Sequence, residues 1–192
     1  MAEWGGTDDA LAYGRSLLVG ERVRLRATRE DDLPVLACWY NAPEWAVVQQ
    51  GRAQPLPEAE VIEIIRRWSS AKDGSGAGFS IELIETGELI GHTSLWGASL
   101  PVCAAAFAIM LGPEFTSRGY GVEAVRLMTG YGFRELGLNR IRLDVWAHNS
   151  RAIRAYEKAG FVVEGRLRAV GFHDGEFRDG LVMAQLASEF FA

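Results

Sequence analysis

Residues Phe107 to Glu123 read FAIMLGPEFTSRGYGVE, a strand, a loop and a helix start in one short stretch. Phe107, Ala108, Ile109, Met110 and Leu111 form an apolar run with the length of a buried strand. A loop from Gly112 to Arg118 leads to Gly119-Tyr120-Gly121, and Val122, Glu123, Ala124 and Val125 then open a helical pattern. A glycine-bearing loop running into a helix presents unpaired N–H groups at the positive end of the helix dipole. Such an end holds phosphate. The stretch therefore predicts a ligand that carries a pyrophosphate.

Upstream, Glu21–Ala27 alternates charged residues with Val23 and Leu25, as a half-buried strand does. Thr28 and Asp31 resemble a capping box opening a helix through Leu33, Leu36 and Trp39. Tyr40–Leu56, with Asn41, Pro43, Gly51 and Pro55, reads as mostly loop. Pro57 begins a helix with Val61, Ile64, Ile65 and Trp68 on one face, ended by Asp73-Gly74-Ser75-Gly76. Gly78–Glu85 and Glu88–Trp96 form a hairpin about Thr86-Gly87, and Pro101 leads into the strand Val102–Leu111.

Downstream, a helix from Gly119 to Leu136 ends at Gly137, and Arg140–Ala147 (RIRLDVWA) alternates as a strand. The helix Asn149–Ala159 stops at Gly160, and strands Phe161–Phe172 and Glu176–Leu186 join through His173-Asp174-Gly175. This order predicts a mixed α/β fold with a central, mostly antiparallel sheet, hairpins at both ends, one βαβ unit and flanking helices. Residues 1–20 read as an N-terminal arm or short helix, and 21–192 as a single domain.

The 192 residues, 48% hydrophobic and 23% charged, suit one sizeable core. A formal charge of −5 with no basic stripe argues against a nucleic-acid partner. Cys38 and Cys103 lack partners at metal spacing and read as reduced thiols, so no metal is expected. The first twenty residues lack the apolar segment of a signal peptide. No run approaches the ~18 apolar residues of a membrane span. A soluble, cytoplasmic protein is the expectation.

Gly119, Gly121 and Ala124 satisfy the G-x-G-x-x-A dinucleotide fingerprint, and Asp144 follows where a ribose-binding acid would fall. In that fold, however, the first glycine follows its strand almost directly, and further βαβ units flank the switch point. The loop from Gly112 to Arg118 and the flanking hairpins argue against a nicotinamide enzyme.

Thr116–Gly121 resembles the Q/R-x-x-G-x-G/A acyl-CoA loop of the GNAT superfamily of N-acetyltransferases, with Thr116 where Gln or Arg is usual. Asn139–Gly165 is similar to that family's second signature and keeps Asn149, Ala152-Ile153, Tyr156 and Gly160-Phe161. Val23–Asp32 and the pattern Gly175, Asp179, Met183 resemble the branch of ribosomal-protein N-terminal acetyltransferases. The resemblance runs from about Glu21 to Leu186. It implies a GNAT-like fold with a βαβ acyl-CoA-binding core, acetyl-CoA as cosubstrate and a primary amine as acceptor. A protein or peptide N-terminus is the expected acceptor. A polyamine, an aminoglycoside or another small amine is the alternative, as is a non-catalytic acyl-CoA-binding module. An exposed terminal strand or arm leaves a homodimer open.

The resemblance also implies roles. The loop Ser117, Arg118, Gly119, Tyr120, Gly121 and Val122 would hold the pyrophosphate. Backbone groups of Ile109, Met110 and Leu111 would pair with the pantetheine arm, which Asn149 and Ala152 would help hold. Tyr156 shares a helix face with Asn149, Ala152 and Ile153 and would donate a proton to the CoA thiolate. Asp144 matches the acidic base of some relatives, and reads equally as a solvated or arginine-paired strand acid. His148 is a second candidate base, with a reference pKa near ~6.5. Trp39, Tyr40, Trp45 and Trp96 are candidate walls for the acceptor, though each also reads as an aromatic core residue.

Overall fold

A computed structural model describes residues 4–49, 53–70 and 74–192; Gly51 and Asp73, two of the expected loop residues, lie outside them. Helix α1 (Thr7–Ser16) occupies the expected arm, with Asp8 and Asp9 in its first turn and Arg15 in its last, as the helix dipole favours. It is followed by β1 (Val23–Arg26), α2 (Asp32–Asn41), α3 (Pro43–Gln49) and α4 (Glu58–Ser69). Next come β2 (Ala77–Leu83), β3 (Leu89–Ser99), β4 (Ala104–Leu111) and a single 3-10 turn (Pro113–Phe115). The chain ends with α5 (Tyr120–Arg134), β5 (Arg140–Trp146), α6 (Ser150–Ala159), β6 (Val162–His173), β7 (Glu176–Leu186) and α7 (Ala187–Phe190).

Three local expectations change. Helix α3 takes up part of the expected loop, because Pro43 is suited to a first helical position and Trp45 and Ala46 find a core to bury in. The capping box does not form. Thr28 Oγ1 instead accepts from Ser69 Oγ at 3.0 Å and Ser80 Oγ at 3.2 Å. The Asp32 carboxylate takes the Arg29 N–H at 2.8 Å. Finally, β4 starts at Ala104, since Leu100–Cys103 are spent on the turn from β3.

The sheet order is β1-β2-β3-β4-β5-β7-β6. Every described pairing is antiparallel except β4 with β5. That parallel pair is short, running from Ala104↔Arg140 to Ala106↔Arg142. Beyond it β4 stays with β3 as far as Gly91↔Leu111, and β5 stays with β7 as far as Trp146↔Gly180. The two central strands part from Phe107 onward while each keeps its outer neighbour.

Each face of the sheet carries its own core. On one, α5 and α6 cover Phe107, Ile141, Leu143 and Val145, with Val125 and Met128 of α5 packed into the same core. Gly132 lets α5 lie close: a Cβ there would stand 2.8 Å from both Ile141 Cδ1 and Leu95 Cδ1. On the other face α2 and α4 bury Leu33, Leu36, Ala37, Val61 and Ile65 against Met110.

Beside this second core lies a buried polar network. Arg26 binds the Asp32 carboxylate with two bonds, at 2.7 and 2.9 Å, and also pairs with Glu82, which in turn takes Arg24. Ser80 donates to Asp32 at 2.8 Å. His92, 3% exposed, has its Nε2 2.8 Å from Ser69 Oγ. Burial pushes the His92 pKa down to about 4, with Asp32 opposing the shift. Buried ions persist only when paired in this way, and the network ties β1, α2 and β2 together.

Candidate active site

The parted strands open a cleft of about 860 Å³. It passes through the sheet, because its walls include Phe107 and Val145 from the α5/α6 face and Ala108 and Asp144 from the opposite one. The Gly112 N–H donates to the Ile90 carbonyl at 3.0 Å. In the observed register, His92↔Met110 and Ser94↔Ala108 are then the hydrogen-bonded pairs of β3 and β4. Alternation therefore turns the backbone polar groups of Ile109 and Leu111 away from β3, into the cleft.

Met110 departs from its expected place. Its backbone faces β3 and not the cleft, while its side chain, 5% exposed, packs in the second core.

The glycine loop closes one end. Ser117, Gly119, Gly121 and Val122 line the cleft beside Thr116. Gly119, with φ 87° and ψ −9°, caps α5 in the left-handed conformation that glycine adopts without strain. Among the described residues, the side chains of Arg118 and Tyr120 lie outside the lining. Arg118 is exposed, and Tyr120 sits under the Arg22 guanidinium at 5.1 Å.

The cleft also carries cations that no motif in the sequence singles out. Arg142, Arg151, Arg154 and Lys158 all line the cleft. The four-residue spacing of Arg154 and Lys158, which puts both on one face of α6, is the signal that points to them. Arg151 Nη1 donates to Thr116 Oγ1 at 3.2 Å and lies over the Trp45 ring at 5.5 Å, joining the glycine loop, α3 and α6.

Asn149 caps α6, its Oδ1 accepting from the Ala152 N–H at 3.1 Å, and both residues line the cleft. One turn on, the Tyr156 ring meets Phe107 edge-on at 6.2 Å and Phe161 at 5.9 Å. Its hydroxyl makes no hydrogen bond among the described residues. Tyr156 is half-buried along the cleft, and desolvation there raises its pKa to about 12.

Asp144 shares the other face of β5 with Arg142 and Trp146, while Ile141, Leu143 and Val145 are buried. Neither Asp144 nor Arg142 makes an ion pair among the described residues, so the arginine-paired reading of Asp144 is not realised. Asp144 is the single carboxylate among the described residues of the lining. Trp45, Val48, Trp146, Val170 and Val182 make the surroundings apolar.

Of the four aromatic residues expected as walls, Trp45 alone lines the cleft, and its buried indole N–H has no partner among the described residues. Trp39 packs on Phe115, Tyr40 packs on Trp68, and Trp96 lies outside the lining. His148 stacks on Trp146 at 6.1 Å outside the lining. Asp179 is structural, accepting from Arg166 Nε at 2.7 Å and the Ala169 N–H at 2.9 Å.

This geometry has counterparts among known proteins. Residues 22–162 match the family model described as an acetyltransferase (GNAT) domain. The chain is 29% identical over 180 residues to spermidine N(1)-acetyltransferase of Escherichia coli K12, covering 88% of this chain and 89% of that one. It is likewise 29% identical over 177 residues to an uncharacterized N-acetyltransferase, p20, of Bacillus licheniformis, covering 90% and 97%. The crystal structure of spermidine N-acetyltransferase from Vibrio cholerae in complex with CoA and spermine superposes with a TM-score of 0.79. That match is at 26% identity over 88% of this chain and 98% of the other.

Proposed function

The chain belongs to the GNAT acetyltransferase family, and we propose that it transfers the acetyl group of acetyl-CoA to a primary amine of a small molecule, with polyamines as the leading acceptor class. The observation that carries this reading is the parting of β4 from β5 beyond Ala106↔Arg142. It sets a helix start suited to anions on one face of the sheet and a free carboxylate, Asp144, on the other.

In this reading the pyrophosphate rests on the N–H groups of the loop Ser117 to Val122, with Arg154 and Lys158 supplying positive charge. The pantetheine arm lies along β4 and pairs with the free backbone groups of Ile109 and Leu111, as an added strand would. Asn149 and Ala152 border it. The thioester then stands beside Tyr156.

The neutral amine attacks the thioester carbonyl carbon, a C–N bond forms, and collapse of the tetrahedral adduct breaks the C–S bond. Asp144 attracts the acceptor as its ammonium, and the proton leaves through Asp144 or water. Tyr156, with a pKa of about 12, stays protonated across the neutral range. An alkyl thiol lies near ~8.5, so outright transfer from Tyr156 is uphill by ~5 kcal/mol. The hydroxyl thus hydrogen-bonds the sulfur as charge develops, and the proton shed by the amine completes the thiol. Holding both reactants in one cleft supplies much of the acceleration.

A protein N-terminus, the acceptor implied by the resemblance to the ribosomal-protein branch, has weaker support. The spermidine acetyltransferases of Escherichia coli and Vibrio cholerae match this chain over nearly all of its length and theirs. Thiol release from acetyl-CoA, measured with spermidine, spermine, putrescine, simple monoamines and peptides with free N-termini, tests the assignment. Polyamines should stimulate release most. Stimulation by peptides alone would return the acceptor to a protein N-terminus. Calorimetric CoA binding with no active amine would leave an acyl-CoA-binding module.

A further inference from the structure

Arg22 lies just ahead of β1, ninety-six residues before Arg118, and outside the cleft lining. Its Nη1 donates to the Arg118 carbonyl at 3.1 Å, its Nε reaches Glu123 Oε2 at 3.3 Å, and its plane covers Tyr120. Glu123 completes the clamp, its Oε1 accepting from the backbone N–H of Arg22 at 2.8 Å and of Val23 at 3.2 Å. The first turn of α5 is thereby staked to the start of β1 from behind.

In a trans peptide the carbonyl and the following N–H point in opposite directions. Drawing the Arg118 carbonyl back toward Arg22 therefore turns the Gly119 N–H forward, toward the cleft that Gly119 lines. Glycine tolerates both settings of such a peptide, so the loop by itself does not fix the direction. We propose that Arg22 is a positioning residue that locks the Arg118–Gly119 peptide in its phosphate-binding orientation. The inference rests on the reading of this loop as the pyrophosphate site.

The test compares two acetyl donors on the full chain: acetyl-CoA, and S-acetylpantetheine, which has the thioester and arm but no pyrophosphate. Arg22→Met should raise KM for acetyl-CoA about tenfold, the scale of one hydrogen bond, with kcat within about twofold. KM for S-acetylpantetheine should not move. Arg22→Lys, whose ammonium still reaches the carbonyl, should recover KM for acetyl-CoA to within about threefold, and serves if Arg22→Met does not fold. Equal losses on both donors, or an unchanged KM for acetyl-CoA, would overturn the proposal. Wild-type protein that binds no CoA in calorimetry removes the acyl-CoA reading and this inference together. Wild-type binding that Arg22→Met retains in full removes this inference alone.

Discussion

Replacing Tyr156 by phenylalanine deletes one oxygen atom and leaves the ring's contacts with Phe107 and Phe161 intact. Because the hydroxyl has no hydrogen-bond partner among the described residues, the folded protein loses no bond. Stability should stay within ~0.5 kcal/mol of wild type. The transition state does lose one. A hydrogen bond to a charged group contributes ~1.5–3 kcal/mol, which at ~1.4 kcal/mol per tenfold lowers kcat by about ten- to a hundredfold. Calorimetry should find CoA affinity nearly unchanged, since the ring still borders the cleft. The pKa of about 12 adds a second expectation: no descending limb from this tyrosine below about pH 10. Steady-state thiol release across pH 6–10, with urea denaturation of both proteins, provides the assay. Turnover within twofold of wild type would refute the hydrogen bond from Tyr156 to the developing thiolate. A joint collapse of kcat, CoA affinity and stability would make Tyr156 a core residue only.

His92 makes stability depend on pH in a defined window. Its folded pKa of about 4 lies below the ordinary 6.5, so the unfolded chain takes up the proton first. Stability is therefore full above about 6.5 and falls as pH drops toward about 4. At ~1.4 kcal/mol per unit the loss reaches ~3 kcal/mol, and His92→Gln should flatten it in urea titrations at each pH. Asp144→Asn should raise KM for the amine about tenfold, as a charge-assisted contact becomes a neutral one, and leave KM for acetyl-CoA in place; a matched rise in both would place Asp144 elsewhere. Met110→Ala should cost ~2–5 kcal/mol of stability through the cavity left among Leu36 and Ile65. CoA affinity at low temperature should survive that change, as expected of a residue whose backbone faces β3.

Much of this was readable in the sequence because local rules agreed with the fold. The alternation in Arg140–Trp146 survives as a buried and an exposed face, and the cap glycines Gly137 and Gly160 take positive φ. The place of Met110 is not legible because the unbroken apolar run FAIML shows no alternation that marks which residues turn to β3. Helix α3 is not legible because Trp45 and Ala46 are buried by residues distant in the chain, Arg151 of α6 among them, which a window of sequence does not contain. Arg22 is invisible for the same reason: its partners lie a hundred residues on. The loop and α6 were legible because glycine, asparagine and helix starts carry local chemistry. The acceptor side was not, because its walls come from α3, β5, β6 and β7 at once.

The short contact between β4 and β5 also bears on how the molecule holds together. Along that line the sheet is two half-sheets, β1 to β4 and β5 with β7 and β6, stitched by backbone pairs from Ala104↔Arg140 to Ala106↔Arg142. A cofactor arm laid along β4 acts as mortar in the joint, and saturation at a hundred times its Kd contributes ~2.7 kcal/mol to the folded state. The enzyme would then be most rigid while loaded and loosest just after release. Turnover would be a cycle of setting and unsetting the one weak course in an otherwise continuous wall.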